Sequence, residues 1–154
     1  MDTREKQNRL ELFEKLCRES GVPCTTQRRI ILEIVLDSEA HPTASDVIRK
    51  VAERELGVSR ATIHRNLDLM AVMGVITKTS HPGIAARYDA RTDIHHHLVC
   101  ISCNSIVDID DETLDSMPMP DASEYGFEIS DFRVQLRGYC RDCRKTRTRE
   151  KRSR

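Results

Sequence analysis

Four of the six cysteines in this 154-residue chain stand in two C-x-x-C pairs, and this pattern restricts the fold more than any other feature. The pairs are Cys100 with Cys103 and Cys140 with Cys143, separated by residues 104–139. A C-x-x-C turn places both sulfurs on one side, and two such turns complete the tetrahedral four-thiolate shell of a structural zinc ion. Because that shell has no open coordination position, we expect the zinc to fold its domain and not to catalyse.

Two disulfides or one thioredoxin-like redox pair are the alternative interpretations of these cysteines. The first residues are charged and lack the apolar core of a secretory signal, and no apolar run approaches the roughly 20 residues of a membrane helix. We therefore expect a cytoplasmic protein without membrane contact. In that reducing compartment paired cysteines are metal ligands more often than disulfides.

The charged side chains balance, with 25 Lys and Arg against 25 Asp and Glu. This balance excludes a globally basic DNA-wrapping protein and an acidic, disordered tail-type protein. The distribution is uneven, because residues 92–132 contain acidic side chains but no Lys or Arg, whereas residues 141–154 are strongly basic. The acidic stretch is either a solvated face or a source of cation ligands. The basic end either contacts nucleic acid or is a frayed, solubilising terminus.

Residues 1–89 have the pattern of a small helical domain that ends in a hairpin. Apolar residues at helical spacing and capping residues predict four helices: residues 4–19, a helix capped by Thr25 or Thr26, a helix capped by Thr43 with Asp46, and a helix from Ser59 to Gly74. The last two are joined by the turn Leu56-Gly57-Val58. Residues 75–79 and 85–88, on either side of His81-Pro82-Gly83, predict a β-hairpin. This order is typical of a winged helix-turn-helix.

The helix over residues 60–73 is the expected recognition helix. Its first half carries polar side chains that can contact base edges or phosphates in a major groove: Arg60, Thr62, His64, Arg65 and Asn66. An ordinary amphipathic helix with a solvated polar face is the alternative. The hairpin that follows favours DNA binding.

A second cluster of metal-binding residue types precedes the first cysteine pair. Strand spacing directs His95 and His97 to one face and His96 to the other. Asp108 lies in an alternating segment that can pair with residues 95–100, and Asp89 lies just upstream. Imidazole and carboxylate ligands suit Fe(II), Mn(II) or Zn(II), although a hydrogen-bonded surface cluster is the alternative.

The order of these motifs resembles the ferric uptake regulator (Fur) family of metal-dependent repressors, over about residues 20–145. The matching stretches are Thr26-Gln27-Arg28, His41-Pro42-Thr43-Ala44, Ser59-Arg60-Ala61-Thr62-Ile63, Arg87-Tyr88-Asp89, His95-His96-His97 and the two C-x-x-C pairs. The resemblance implies an α+β fold. Residues 1–89 would form a winged helix-turn-helix domain, and residues 90–154 a small α/β dimerisation domain with structural zinc. It also implies a homodimer that binds double-stranded operator DNA.

The resemblance further implies a regulatory Fe(II) or Mn(II) ion that bridges the two domains. Its ligands on this chain would be His41, Asp89, His95, His97 and Asp108. Spacing alone does not assign His41, which is distant in sequence. Metal occupancy would fix the angle between the domains, so the ion would act as an effector that favours the DNA-competent state.

The aspartate at position 108 makes the chain resemble the peroxide-sensing (PerR-type) branch of the family, because the iron-sensing branch usually has Glu at this position. In that branch Fe(II) reacts with hydrogen peroxide and a ligand histidine, here His95 or His41, gains oxygen, whereas Mn(II) does not react. No other small-molecule substrate is expected. An iron- or zinc-homeostasis repressor without peroxide sensing is the alternative.

Two positions depart from the family pattern. His64 stands where the family usually has Tyr, whereas Arg65 matches the usual Arg. Asp131 or Phe132 stands where many members have a histidine for an additional metal site, so we do not expect that site.

Two other classes of function compete with a repressor. An oxygenase-like enzyme could use the His and Asp ligands, but five ligands leave little room for substrate, and 4% aromatic residues indicate no apolar pocket. A zinc-stabilised interaction module would not explain the winged helix. We therefore expect a regulator and not an enzyme.

Overall fold

The computed structural model describes residues 2–38, 40–55, 57–81 and 84–152. The side chains of residues 80, 81, 84 and 147–152 are not described. Helices and a hairpin form the first half of the chain. The chain divides into two units, Met1–Thr92 and Asp93–Arg154. The sequence placed the division between residues 89 and 90. Leu56, Pro82 and Gly83, from two of the expected turns, lie outside the described residues.

The first unit contains four helices followed by a two-stranded antiparallel sheet, as the sequence predicts. The elements are α1 (Thr3–Glu19), α2 (Thr26–Leu36), α3 (Ala44–Ala52), α4 (Arg60–Val72), β1 (Thr77–His81) and β2 (Ile84–Asp89). The strands are paired from Thr77 opposite Asp89 to His81 opposite Ile84. The winged helix-turn-helix prediction is confirmed.

Local capping interactions set the ends of these helices. The side chains of Thr25 and Ser59 accept backbone hydrogen bonds at the starts of α2 and α4, and Asp2 does the same for α1. Gly74 follows the end of α4 with a φ of +71°, a left-handed conformation that glycine adopts without strain. Each cap satisfies a backbone group that the helix itself leaves unpaired.

The Thr43 capping box should contribute measurably to stability. Thr43 Oγ1 accepts from the Asp46 N–H at 3.2 Å, and the Asp46 carboxylate accepts from the Thr43 N–H at 3.0 Å. We expect Thr43→Ala to lower the free energy of unfolding by about 1 kcal/mol, measured by denaturant titration. Thr43→Ser keeps the hydroxyl and is the control. An equal loss in both variants would contradict the role of the hydroxyl.

The core of the first unit comes from apolar residues at the predicted helical spacing. Its most buried members include Phe13 of α1, Ile31, Leu32 and Val35 of α2, Val47 of α3, and Ile63, Leu67 and Met70 of α4. Tyr88 of β2 packs into the same cluster. Hydrophobic burial thus holds the hairpin against the helices.

A three-stranded sheet forms the centre of the second unit. Its middle strand is β3 (His96–Cys100), antiparallel to β4 (Ile106–Ile109) and parallel to β5 (Gln135–Gly138). The pairing of β3 with β4 was predicted, whereas β5 was not. The short helix α5 (Glu112–Asp115), a 3-10 turn (Ser123–Tyr125) and the final helix α6 (Arg141–Arg152) complete the unit. The basic end therefore has a helical backbone in place of the frayed terminus considered above.

None of the helices in the described part of the chain is long and apolar enough to cross a membrane.

Candidate metal centres and nucleic-acid interface

The sheet of the second unit brings the two cysteine pairs together. Cys100 ends β3, and Cys103 lies in the turn that follows. Strand β5 runs parallel to β3, with Gly138 opposite Cys100, so both strands end at the same end of the sheet. Cys140 and Cys143, which follow β5, therefore lie near Cys100 and Cys103. The four sulfur atoms lie within 4.8 Å of one another, and those of Cys103 and Cys140 are 3.9 Å apart. Sulfurs about 2.3 Å from a tetrahedral zinc would be about 3.8 Å apart, so the spacing fits this ion.

The thiols of this cluster differ in how readily they ionise. Backbone hydrogen bonds, first from the Cys140 N–H and then from Cys103, lower the pKa of Cys100 to about 6. The Ser102 hydroxyl lowers the pKa of Cys143, but the neighbouring Cys140 and Cys103 thiols outweigh it and raise that pKa to about 12. Four thiolates so close together repel one another, and a bound cation relieves that repulsion.

His41 and Asp89 form a buried pair in the first unit. His41 precedes the cap of α3, Asp89 ends β2, and their Nε2 and Oδ2 atoms are 3.0 Å apart. Their exposed fractions are 7% and 5%. The Arg91 N–H donates to Asp89 Oδ1 at 2.8 Å, and Arg87 Nη1 donates to the His41 carbonyl at 2.8 Å. His41 and Asp89 are therefore both held in place by hydrogen bonds that involve the backbone.

His95, His97 and Asp108 form a second donor group in the second unit. The Nε2 atoms of the two histidines are 3.0 Å apart and lie 3.6 and 3.5 Å from Asp108 Oδ1. His97 and Asp108 are paired across β3 and β4. His95 Nδ1 lies 2.8 Å from the Asp93 carbonyl, which can only accept a hydrogen bond. The proton of neutral His95 thus sits on Nδ1 and leaves the Nε2 lone pair for a metal ion.

His96 points to the opposite face of β3, as its strand position predicts. The Val134 N–H donates to His96 Nδ1 at 3.0 Å, and His96 Nε2 lies 3.2 Å from Asp115 Oδ1. The Phe132 ring packs beside the imidazole, with ring centroids 5.6 Å apart. These contacts hold His96 apart from the group formed by His95, His97 and Asp108.

The exposed surface of α4 carries most of the side chains expected to contact DNA. Arg60, His64 and Arg65 are exposed, and Thr62 is half-buried with its hydroxyl 2.8 Å from that of Ser59. Asn66 differs, because only 6% of it is exposed.

The burial of Asn66 corrects the expectation that it contacts DNA. Its Oδ1 accepts a hydrogen bond from Arg28 Nε of α2 at 2.9 Å. Because the side chain points into the unit and is already paired, Asn66 positions α4 against α2.

Sequence reasoning missed a contact between the hairpin and α4. Lys78 Nζ of β1 donates to Asp68 Oδ1 of α4 at 2.7 Å and lies 5.9 Å from the centroid of the Tyr88 ring. Asp68 and Tyr88 raise the pKa of Lys78, and the hydrogen bond that Lys78 donates to Asp68 is the largest cause. No spacing rule connects residues on two different elements, so no local signal pointed to this contact.

Comparison with known proteins shows that most of this chain is similar to one protein family. The family model described as the ferric uptake regulator family matches residues 19–137. The peroxide operon regulator of Bacillus subtilis is 34% identical over 135 residues, which cover 88% of this chain and 92% of that protein. The ferric uptake regulation protein of Campylobacter jejuni is 30% identical over 137 residues, 87% of each chain. The ferric uptake regulator of Helicobacter pylori, solved with three functional metal-binding sites, superposes with a TM-score of 0.78 at 16% identity, over 90% of this chain and 93% of that chain.

Proposed function

The chain belongs to the ferric uptake regulator family and is therefore a transcriptional regulator and not an enzyme, and we propose that it is a metal-dependent repressor that hydrogen peroxide inactivates. In this proposal it binds double-stranded operator DNA as a homodimer when a regulatory metal ion is bound. The observation that carries the proposal is the set of buried nitrogen and oxygen donors around His95 and His97, which lies apart from the four cysteines.

We propose that Cys100, Cys103, Cys140 and Cys143 hold a structural Zn(II) ion. The sulfur spacing and the all-thiolate donor set support this assignment, since four thiolates saturate a tetrahedral zinc. The ion would link the end of β3 to the start of α6. Its role is to stabilise the fold of the second unit.

We propose that His41, Asp89, His95, His97 and Asp108 serve one regulatory ion, Fe(II) or Mn(II), as the family resemblance implies. The two imidazole Nε2 atoms that converge with Asp108 support this assignment, because mixed nitrogen and carboxylate ligands suit these metals. The paired His41 and Asp89 offer the same chemistry. An ion that binds the DNA-competent state more tightly than the alternative state would shift the population toward DNA binding.

The sheet of the second unit supports the proposed homodimer. Leu98, Val107, Leu136 and Tyr139 are exposed and border an apolar cavity of about 350 Å³ on that sheet. A second copy of the chain would cover these side chains and remove apolar surface from water.

Oxidation of one ligand histidine is the expected signal of peroxide sensing. When bound, Fe(II) would supply the one-electron reduction of hydrogen peroxide. We expect His41 or His95 to gain one oxygen atom, which weakens its metal ligation and releases DNA. Mass spectrometry after brief exposure to low peroxide should detect this addition in the Fe(II) form and not in the Mn(II) control.

The two histidines can be separated by peptide mapping. His41 lies in the tryptic peptide 30–49, whereas His95, His96 and His97 share the peptide 92–133, so fragment ions must assign the oxygen. Unmodified histidines in protein shown to contain Fe(II) would contradict peroxide sensing. The alternative, an iron- or zinc-homeostasis repressor, would then be favoured, because the chain is 30% identical to the Campylobacter jejuni ferric uptake regulation protein and 34% identical to the peroxide operon regulator.

Arg65 is our first choice for a contact that reads DNA, together with the exposed Arg60 and His64 and the half-buried Thr62. We expect Arg65→Ala to weaken operator binding by about 1–3 kcal/mol if Arg65 contacts a base. Fluorescence anisotropy with a promoter fragment selected by the Mn(II)-loaded protein measures the loss. Arg4→Ala, an equal charge change at the exposed start of α1, is the matched control. Equal effects of both variants would show that only net charge matters.

A further inference from the structure

Cys17 and Cys24 are the two cysteines outside the four-cysteine cluster, and both belong to the first unit. Cys17 lies on the inner face of α1 and is 1% exposed, whereas Cys24 is exposed in the segment between α1 and α2. Both line an open cleft of about 510 Å³, together with Arg18 and Arg29. A buried thiol and an accessible thiol therefore share one surface that small polar reagents can enter.

The backbone after α1 turns back and brings the two cysteines together. Gly21 adopts a φ of +65°, and the Val22 N–H donates to the Cys17 carbonyl at 2.8 Å. Cys24 follows two residues later and lines the same cleft as Cys17. Burial, and then the adjacent Cys24 thiol, raise the pKa of Cys17. Cys17 is thus held protonated, and the exposed Cys24 is the thiol that meets an oxidant first.

We propose that Cys17 and Cys24 form a reversible redox dithiol that hydrogen peroxide converts into an intrachain disulfide. The Cys24 thiolate attacks one peroxide oxygen, the O–O bond breaks, and a Cys24 sulfenic acid and water form after proton uptake. The Cys17 sulfur then attacks the Cys24 sulfur, which releases a second water and leaves the S–S bond. In total two thiols lose two hydrogen atoms and one peroxide is reduced to two waters. The reaction requires neither the regulatory metal nor the zinc cluster.

The disulfide would act on the recognition helix through a short series of contacts. Cys24 lies between Pro23, whose carbonyl accepts from Arg28 Nη1, and Thr25, which caps α2 by accepting from the Arg28 N–H. Arg28 Nε donates to the buried Asn66 of α4. A bond from Cys24 to α1 displaces the 23–25 segment and with it the cap and the side chain of Arg28. We therefore expect oxidation to weaken DNA binding.

Peptide mapping of the full-length, Mn(II)-loaded protein tests whether the disulfide forms. Trypsin places Cys17 in the peptide 16–18 and Cys24 in the peptide 19–28. After hydrogen peroxide treatment and alkylation, we expect these two peptides to be joined by a bond that dithiothreitol cleaves. Cys17→Ala should leave a Cys24 sulfenic acid that dimedone captures, and Cys24→Ser should leave Cys17 unmodified. Unreacted Cys24 at peroxide doses that already oxidise the zinc-site cysteines would overturn the proposal.

DNA affinity of the same samples tests the link to α4. We expect peroxide to weaken DNA binding of the Mn(II) form by about tenfold, and dithiothreitol to restore it. Cys24→Ser, an exposed position outside the metal and DNA sites, should bind DNA normally and resist this loss. A disulfide that forms without any change in affinity would overturn the switch. The disulfide should form in the Mn(II) form and be reversed by dithiothreitol, whereas histidine oxidation requires the Fe(II) form and is not reversed by dithiothreitol. The failure of this proposal can therefore be distinguished from the failure of peroxide sensing at the metal site.

Discussion

Cys100→Ser should yield a protein that retains no zinc and has no folded second unit. Few apolar residues are buried there: among the described residues of this unit only Val99, Cys100 and Ile106 belong to the buried hydrophobic set. So small a core supplies little free energy, and small domains of this kind depend on metal or oligomerisation. Zinc binding contributes about 10–16 kcal/mol in small zinc domains, comparable to or larger than the total stability of an ordinary domain.

Three measurements check this prediction. Elemental analysis should find zinc in the wild-type chain and no zinc in Cys100→Ser or Cys143→Ser. Circular dichroism should show loss of structure, and size-exclusion chromatography should show loss of the dimer. Cys24→Ser removes an exposed thiol outside the cluster and should retain zinc, which makes it the matched control. A stable, zinc-free dimer of either cluster variant would be incompatible with a structural zinc site.

Asp89→Ala should abolish the dependence of DNA binding on the regulatory metal while folding and zinc content stay intact. One Asp89 carboxylate oxygen lies beside His41 Nε2, and the other accepts a hydrogen bond from the Arg91 N–H. Removal of Asp89 therefore deletes a proposed metal-ligand atom and the contact that it makes with His41 Nε2. Effectors commonly change affinity at a distant site by about 5–150-fold. In the variant, DNA affinity with and without Mn(II) should be nearly equal. His97→Ala should behave in the same way, because it removes one of the two converging Nε2 atoms.

DNA titrations at several Mn(II) concentrations measure this effect. Asp115→Asn is the matched control, since Asp115 pairs with His96 on the other face of β3 and lies outside the proposed ligand set. That variant should keep the metal response of the wild type. If Asp89→Ala responded to Mn(II) like the wild type, the ligand assignment would be wrong. If Asp115→Asn lost the response, the metal site would include the face of β3 that carries His96.

Features that depend on neighbouring residues could be predicted from the sequence alone. Thr25, Thr43 and Ser59 cap helices as expected, because a cap bonds to a backbone N–H only two or three residues away. The alternation of His95, His96 and His97 follows from strand geometry, and each C-x-x-C turn brings its own two sulfurs together. The family resemblance added His41, which no spacing could assign.

Features that join distant segments were decided only by the tertiary structure. The parallel strand β5 delivers Cys140 and Cys143 to the end of β3, and its short, irregular pattern gave no local signal. Asn66 has the polarity and helix position of a DNA contact, but Arg28, which lies on another helix, pairs with it inside the unit. Cys17 and Cys24 line one cleft because the chain reverses after α1. The physical reason is the same in each case: periodicity and capping act over a few residues, whereas contact between elements depends on how their buried faces pack.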